Sequence, residues 1–412
     1  MLFYLDFAWR NLWRNKRRTL LASSSIFFAV LLALFMRSMQ LGTYAYMIQN
    51  TVSLYTGYLQ LQGKNYWDER SFDESIPVND SLLQAIAALP HVTHVNPRLE
   101  TVALISYGLD TRVSPVTGIV PRKEDEMSNL ASRVIRGSYL TDSSHGVLLA
   151  EGLAERLHVA LGDSVILFGQ GYEGVTAAEQ LKVEGILHYP LPQLNNAMVI
   201  LALPKAQELF NAYGRVTSVA MMIDDADNLS SVQQTLNGRI DSSMTTMTWQ
   251  EMMPEVVQTI KADNGAGIVM LLILYIVISF GVFGTIMMMT IERSREFGLL
   301  IALGMKRRSL ATVSCIEAVF VSMVGALAGM VGAFPIVLYF HDNPIRLWGD
   351  TAQAMLSWGI EPLLPLSLDP GIFVAQTFAV FLIAFVTTLY PVLVIRKIRP
   401  VAALRGQGAV RR

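Results

Sequence analysis

Four long apolar stretches limit what this chain can fold into: Thr19 to Met36, Gly265 to Ile291, Ser309 to Phe340 and Gly371 to Ile395. Each reaches or approaches the ~20 residues that a helix needs to cross a bilayer. Glu317 is the one ionisable residue of consequence inside them. The polar stretch between the first and second must fold on one side of the membrane, so the expected layout is span, domain, span, span, span.

Charge assigns the sides. The flanks of the spans carry Arg10, Arg14 and Lys16 to Arg18, then Arg293, Arg295 and Lys306 to Arg308, then Arg396, Lys397, Arg399, Arg405, Arg411 and Arg412. These are 16 of the 32 Lys and Arg residues, against three acids, Asp6, Glu292 and Glu296. Short basic flanks stay in the cytoplasm. Residues 42–267 hold 14 basic and 25 acidic side chains, a net of −11, and face out. The near-neutral total therefore conceals two opposite halves.

The expected boundaries are 1–18 for a cytoplasmic amphipathic N-terminus, 19–41 for the first membrane helix and 42–264 for an outer domain. Then follow 265–291 for the second helix, 292–308 for a cytoplasmic loop, 309–340 for the third helix, 341–370 for an outer loop, 371–395 for the fourth helix and 396–412 for a cytoplasmic tail. The first apolar run is too long for a cleaved signal sequence and no A-x-A-like site follows, so it reads as a retained anchor. Cys315, the only cysteine, lies in the third span. The outer domain thus rests on its own core rather than on disulfides, which a segment of ~220 residues can supply.

The fold class expected is a membrane α-helical protein with four transmembrane helices and an α+β extracytoplasmic domain of two subdomains, inserted between helices 1 and 2. Gly57 to Gln62 and Arg98 to Ser106 read as strands around a short helix, Ser81 to Leu89, ended by Pro90. A similar unit recurs with a strand at Val219 to Ile223, a helix at Leu229 to Ile240 capped by Asp227 or Asn228, and a strand at Met244 to Thr248. Residues 50–106 and 215–248 are expected to form one subdomain and 107–214 the inserted one. Residues 249–264 are expected to run as a helical stalk from Trp249 into the second span, and the first span continues past Arg37 toward Gln49 without a breaker.

Catalytic equipment is scarce. Gly57 to Asn65 approaches a phosphate loop but has a surplus residue between its glycines and Asn65 where Ser or Thr belongs. His91 and His94 lack a third metal ligand, and nothing points to nucleic acid. Glu124-Asp125-Glu126 and Asp224-Asp225-Asp227 lack calcium-loop spacing and read as solvated turns and helix caps. Glu317 sits roughly 13 Å into the third span at ~1.5 Å per residue; it is either an ion or proton site or a carboxylate that snorkels or bonds a neighbouring helix, and the structural role is favoured. Gly325, Gly329 and Gly332 make a small-residue face of the G-x-x-x-G kind. That face serves either packing within the chain or dimerisation.

The strongest local signal is the loop between spans two and three. Glu292, Arg293, Arg295 and Glu296 precede Gly298, Leu299, Ala302, Gly304 and Met305, and Lys306 opens a basic cluster. This is a short amphipathic helix at the membrane surface, which either lies in the headgroups or fits a groove on a soluble partner. The run Glu-Arg-x-Arg-Glu-Phe-Gly-x-Leu-x-Ala-x-Gly-Met resembles the coupling segment of FtsX-like ABC permeases, the family of the MacB, LolC and LolE types. Ala8 to Arg18, Glu317-Ala318 through Gly332, and Tyr390-Pro391 to Arg405 resemble it too, and Gly57 to Leu61 and Gly185 to Leu203 are similar to its MacB-like periplasmic core.

The resemblance implies a non-enzymatic permease subunit in a bacterial inner membrane, with no cofactor of its own and with ATP and Mg held by a separate ATPase chain. It implies a second permease copy or paralogue, an ATPase docked on Glu292 to Lys306, and a periplasmic carrier or adaptor. Movement driven in the cytoplasm would pass through stalk helices to the outer domain, acting on lipoproteins or related lipid-anchored substrates. Export of a small molecule or peptide, and force transmission to a periplasmic partner, are the alternatives.

Overall fold

The computed structural model describes residues 10, 16–357 and 362–397. Most of the 1–18 segment and the tail beyond Lys397 lie outside the described residues. Among those described, four helical stretches are long and apolar enough to cross a membrane: Thr19–Thr56, Pro254–Glu292, Arg307–Asp342 and Pro370–Lys397. Two compact units form. One takes the described residues up to Ala45, Ile260–Arg346 and those from Leu363 onward; the other is Tyr46–Thr259 with Leu347–Pro362.

The labelled helices are α1 (Lys16–Thr51), α2 (Asp80–Ala87), α3 (Pro121–Ser128), α4 (Glu151–Leu157), α5 (Leu203–Leu209), α6 (Leu229–Asn237), α7 (Pro254–Glu292), α8 (Ser294–Ala302), α9 (Arg307–Asp342), α10 (Pro370–Thr387) and α11 (Leu389–Lys397). In the helical unit, Ile26, Val30 and Leu34 of α1 share a core with Ile278, Val282 and Ile286 of α7, Ala333 and Val337 of α9, and Val380 and Ala384 of α10. The fourth expected span is two helices, broken at Thr388. Pro391 explains the break, because its ring removes one backbone donor and crowds the carbonyl four residues earlier.

The other unit is built on a ten-stranded sheet. Its strands are β1 (Leu59–Gly63), β2 (Val92–Tyr107), β3 (Asp110–Ile119), β4 (Val134–Gly137), β5 (Val147–Ala150), β6 (Ser164–Gln170), β7 (Thr176–Leu187), β8 (Val199–Ala202), β9 (Ser218–Ile223) and β10 (Met244–Thr248). The spatial order is β10-β1-β9-β2-β3-β8-β5-β7-β4, and β6 bridges β2 and β7. Six strands, β2-β3-β8-β5-β7-β6, thereby close into a ring, and Ile105, Val116, Val165, Leu181 and Leu201 belong to the core. The strands of 50–106 and 215–248 join those of 107–214 without a break, because β2 is 16 residues long and pairs with β9 at one end and with β3 and β6 at the other.

Within this unit, the last residues of α1 and the first of α7 connect in the chain to neighbouring strands. After Thr51, α1 ends in a π-helical turn, Val52–Thr56, and Gly57 (φ +71°) closes it by donating its N–H to Val52 O at 2.7 Å. A Cβ on Gly57 would stand 2.9 Å from Met221 O, so only glycine fits this positive-φ position. β1 follows at once and pairs with β10, Leu59 opposite Thr248. From β10 the chain enters a short helix, Trp249–Met252, under a capping box of Thr248 and Glu251.

Four local expectations are corrected. The stalk is not one helix from Trp249, since Met253 leaves helical geometry (φ −125°, ψ 60°) before α7; the residue before a proline is pushed out of the α region, here by Pro254. Asn228 donates from its side chain to Asp224 instead of capping α6, and Asp225 accepts from Asp227 N–H. The second strand begins at Val92, well before Arg98.

The fourth correction concerns Glu124. It is not solvated but buried, with 4% of its surface exposed, and forms a two-pronged ion pair with Arg98, itself 3% exposed. Asn96 and Arg98 face α3 from β2, which turns Glu124 inward although its neighbours are polar.

Beside the pair, burial pushes the Glu100 carboxyl above the usual carboxylate range, against the pull of Arg98. A raised folded value favours the protonated form in the native state. Glu100 therefore contributes stability below its unfolded value, about 4.3, and that contribution is lost as pH rises through the folded one. Thermal melts of the full chain in detergent should show Glu100→Gln flattening this decline with rising pH. An unchanged slope would contradict it.

Candidate functional site

The cytoplasmic-loop residues singled out by sequence form one compact feature around α8. Phe297 is almost wholly buried and Gly298 is buried beside it. Leu300, Ile301 and Met305 pack with Phe297 against Leu310 of α9 and Tyr390, Val394 and Ile395 of α11. One face of α8 is thus fixed on two helices of its own chain. The other face is open: Leu299 is 50% and Leu303 76% exposed, and Arg295, Ala302, Gly304 and Lys306 are exposed or half-buried with them.

Gly304 ends α8. Its N–H donates to Ile301 O and the Met305 N–H to Leu300 O, both at 3.0 Å, the paired bonds of a Schellman cap. Gly304 has φ +98° and open space where a Cβ would be. The positive φ makes the requirement for glycine conformational. The signal was present, since glycine just past an amphipathic helix marks its C-terminus. Replacement by Val should cost about 1–2 kcal/mol of strain at this left-handed position. Trypsin should then cut Gly304→Val faster at Lys306 to Arg308 than wild type, with Gly304→Asn, which tolerates positive φ, close to wild type. Equal cutting of all three would contradict the cap.

Arg293 joins the helices. Its guanidinium donates to both carboxylate oxygens of Glu317, lies 3.4 Å from Glu296 Oε2 and stands 5.2 Å from the Phe297 ring centroid. Glu317 is 5% exposed, so the end of α7 and the start of α8 are tied to the interior of α9 through a buried charge pair. A cavity of about 40 Å³ adjoins it, lined in part by Thr290, Ser314 and Val321. Glu292, by contrast, is exposed at the end of α7.

The glycine face of α9 meets α1. A Cβ on Gly325 would come 2.7 Å from Ser23 O, one on Gly329 2.8 Å from Phe27 O, and one on Gly332 2.8 Å from the Phe27 ring. Ser23 Oγ also donates to Val321 O at 3.3 Å. This face is occupied within the chain.

The remaining motifs part from the chemistry they superficially suggest. Residues Leu59–Gly63 of the glycine-bounded segment are strand β1. His91, at φ +69°, points its Nδ1 to Asp224 at 2.9 Å, whereas His94 bonds Thr93, so the two imidazoles serve different neighbours. Among the described residues no group of three or more His, Cys, Asp or Glu side chains is arranged to hold a metal.

Two family models match: "MacB-like periplasmic core domain" over residues 19–239 and "FtsX-like permease C-terminal" over 268–400. The chain is similar to the lipoprotein-releasing system transmembrane protein LolC of Xylella fastidiosa (strain 9a5c), with 24% identity over 331 residues covering 77% of this chain and 78% of that protein. It is also similar to the protein of that name from Neisseria meningitidis serogroup B, 21% identical over 336 residues and 78% of each chain. A solved structure of the periplasmic region of MacB from Actinobacillus actinomycetemcomitans covers 50% of this chain and 94% of its own, with a TM-score of 0.34 and 16% identity.

Proposed function

Because this chain belongs to the family of FtsX-like permeases with a MacB-like periplasmic core domain, we propose that it is the permease subunit of an ABC transporter in a bacterial inner membrane. In this reading both termini and α8 face the cytoplasm, and 42–264 faces the periplasm, as the positive-inside rule requires of these flanks. Strands β1, β2, β9 and β10 would form one subdomain and 107–214 an inserted one. The ATPase is a separate chain that holds ATP and Mg; this chain binds neither. Two permease chains, identical or paralogous, pair within the assembly.

The observation that carries the proposal is the two-sidedness of α8. Phe297, Leu300 and Met305 fix it to α9 and α11, and the Arg293–Glu317 pair pins its start, while Leu299 and Leu303 face away. A surface helix held this firmly moves its neighbours when it is moved, and exposed leucines flanked by Arg295 and Lys306 suit a groove that is apolar within and acidic at its rim. The substrate proposed is a lipid-anchored protein or similar amphipathic molecule, a reading supported by the 24% identity to LolC. A periplasmic carrier or adaptor would receive it.

The test is co-purification. Tagged full chain co-expressed with an ABC ATPase subunit from the same genome should retain that subunit, and Leu299→Asp/Leu303→Asp should lose it while inserting normally. Retention by the variant would mean that α8 rests on lipid and the ATPase docks elsewhere.

A further inference from the structure

We infer that Arg98, oriented by Glu124, is the positioning residue that fastens the outer end of α1 to the ten-stranded sheet; this rests on the permease reading above only for its mechanical consequence. Arg98 stands where β2 is paired on both sides, opposite Ser218 of β9 and Ile119 of β3. Its own carbonyl accepts from Thr217 N–H at 3.0 Å, so its backbone is fixed in the middle of the sheet. Its side chain leaves the strand and does two things. Nε and Nη2 donate to Glu124 at 3.0 and 2.6 Å, and Nη1 donates to the carbonyl of Tyr55.

Tyr55 lies in the π-helical turn, Val52–Thr56, that ends α1. Such turns have a wider hydrogen-bond loop than an α-helix, and are uncommon outside functional positions. The turn is the last one of the helix, immediately before the sheet, where a push along α1 would be absorbed by local unwinding. A guanidinium anchored at the centre of the sheet removes that freedom. The fork of three N–H groups, two on a carboxylate and one on a backbone carbonyl, is geometry that arginine offers and lysine does not. Glu124 supplies the charge that keeps the fork aimed, and α3 is held against the same turn.

Burying this pair is not needed for stability alone, because an apolar pair of similar volume commonly serves a core as well or better. The bond to Tyr55 is what an apolar pair cannot reproduce. Its role is therefore separable from folding.

The experiment is hydrogen exchange read by mass spectrometry on the full chain in detergent, comparing wild type with Arg98→Met/Glu124→Leu and with Arg98→Lys. The apolar pair should keep most of the wild-type stability and leave exchange across β2 and β7 unchanged, while the amides of residues 52–58 exchange roughly tenfold faster as the turn opens locally. Arg98→Lys, which keeps the charge toward Glu124 but not the fork, should loosen the same amides and covers the case in which the apolar pair does not fold. Wild-type protection of 52–58 in both variants would overturn the inference. In the complex with the co-expressed ATPase, ATP should change exchange of the sheet in wild type and not in the apolar pair; an ATP response preserved in that variant would also overturn it. Failure of wild type to bind the ATPase would sink the permease reading and leave the result at 52–58 standing.

Discussion

Replacing Glu124 alone by leucine is expected to destabilise the sheet-containing unit by about 3–5 kcal/mol, the cost of leaving one member of a buried ion pair uncompensated. Arg98 is 3% exposed, so it cannot recover hydration without opening the contact between α3 and β2. Denaturant unfolding of the full chain in detergent, followed by tryptophan fluorescence, to which the buried Trp249 contributes, measures the change. Adding Arg98→Met to the same chain should restore most of the loss, because the stranded charge is then gone. A single variant as stable as wild type would mean that water reaches the guanidinium and that the pair is not the closed contact described.

Gly329→Leu should have a comparably large effect in the helical unit. The first side-chain atom would come 2.8 Å from both Phe27 O and Val30 Cβ. The first contact is with backbone, so no rotamer relieves it, and the two helices must separate. In lipid, close backbone approach is itself a main source of helix association, and separation forfeits the packing of Val30 and Ala333 in the shared core. Cysteines placed at Ser23 and Val321, which are joined by the bond from Ser23 Oγ to Val321 O, should cross-link readily when Cys315 is replaced and Gly329 is kept. The same pair should cross-link poorly once Gly329→Leu is added. Equal cross-linking would show that α1 and α9 are not in register here.

The spans and the amphipathic α8 were legible because each rests on a local rule: apolar length for the first, helical spacing bounded by charge for the second. The pairing of β1, which follows α1 in the chain, with β10, which precedes α7, was half legible. Both runs read as strands, but nothing local says that Gln62 and Met247, 185 positions apart in the chain, are neighbours. Glu124 was misread for the same reason. Among Lys123, Asp125 and Glu126 it looks like any solvated acid, and its burial depends on a basic partner 26 positions away on another element. The conformations of Gly304 and Met253 follow local rules, the glycine cap and the restriction before proline. For Gly325, Gly329 and Gly332 the sequence defines a face for close approach and leaves open what approaches it.

The central claim, that α8 is the surface through which a cytoplasmic ATPase moves this chain, is tested most directly by site-specific photocross-linking. A photoreactive residue placed at Leu303, which is 76% exposed, should capture the ATPase chain in membranes, and one placed at Leu310, which is buried against α8 from α9, should not. Capture at Leu303 should also change between nucleotide-free and ATP-bound states, since the docking helix must move with the hydrolysis cycle. Cross-linking of Leu303 only to lipid, with the ATPase present and bound, would contradict the account.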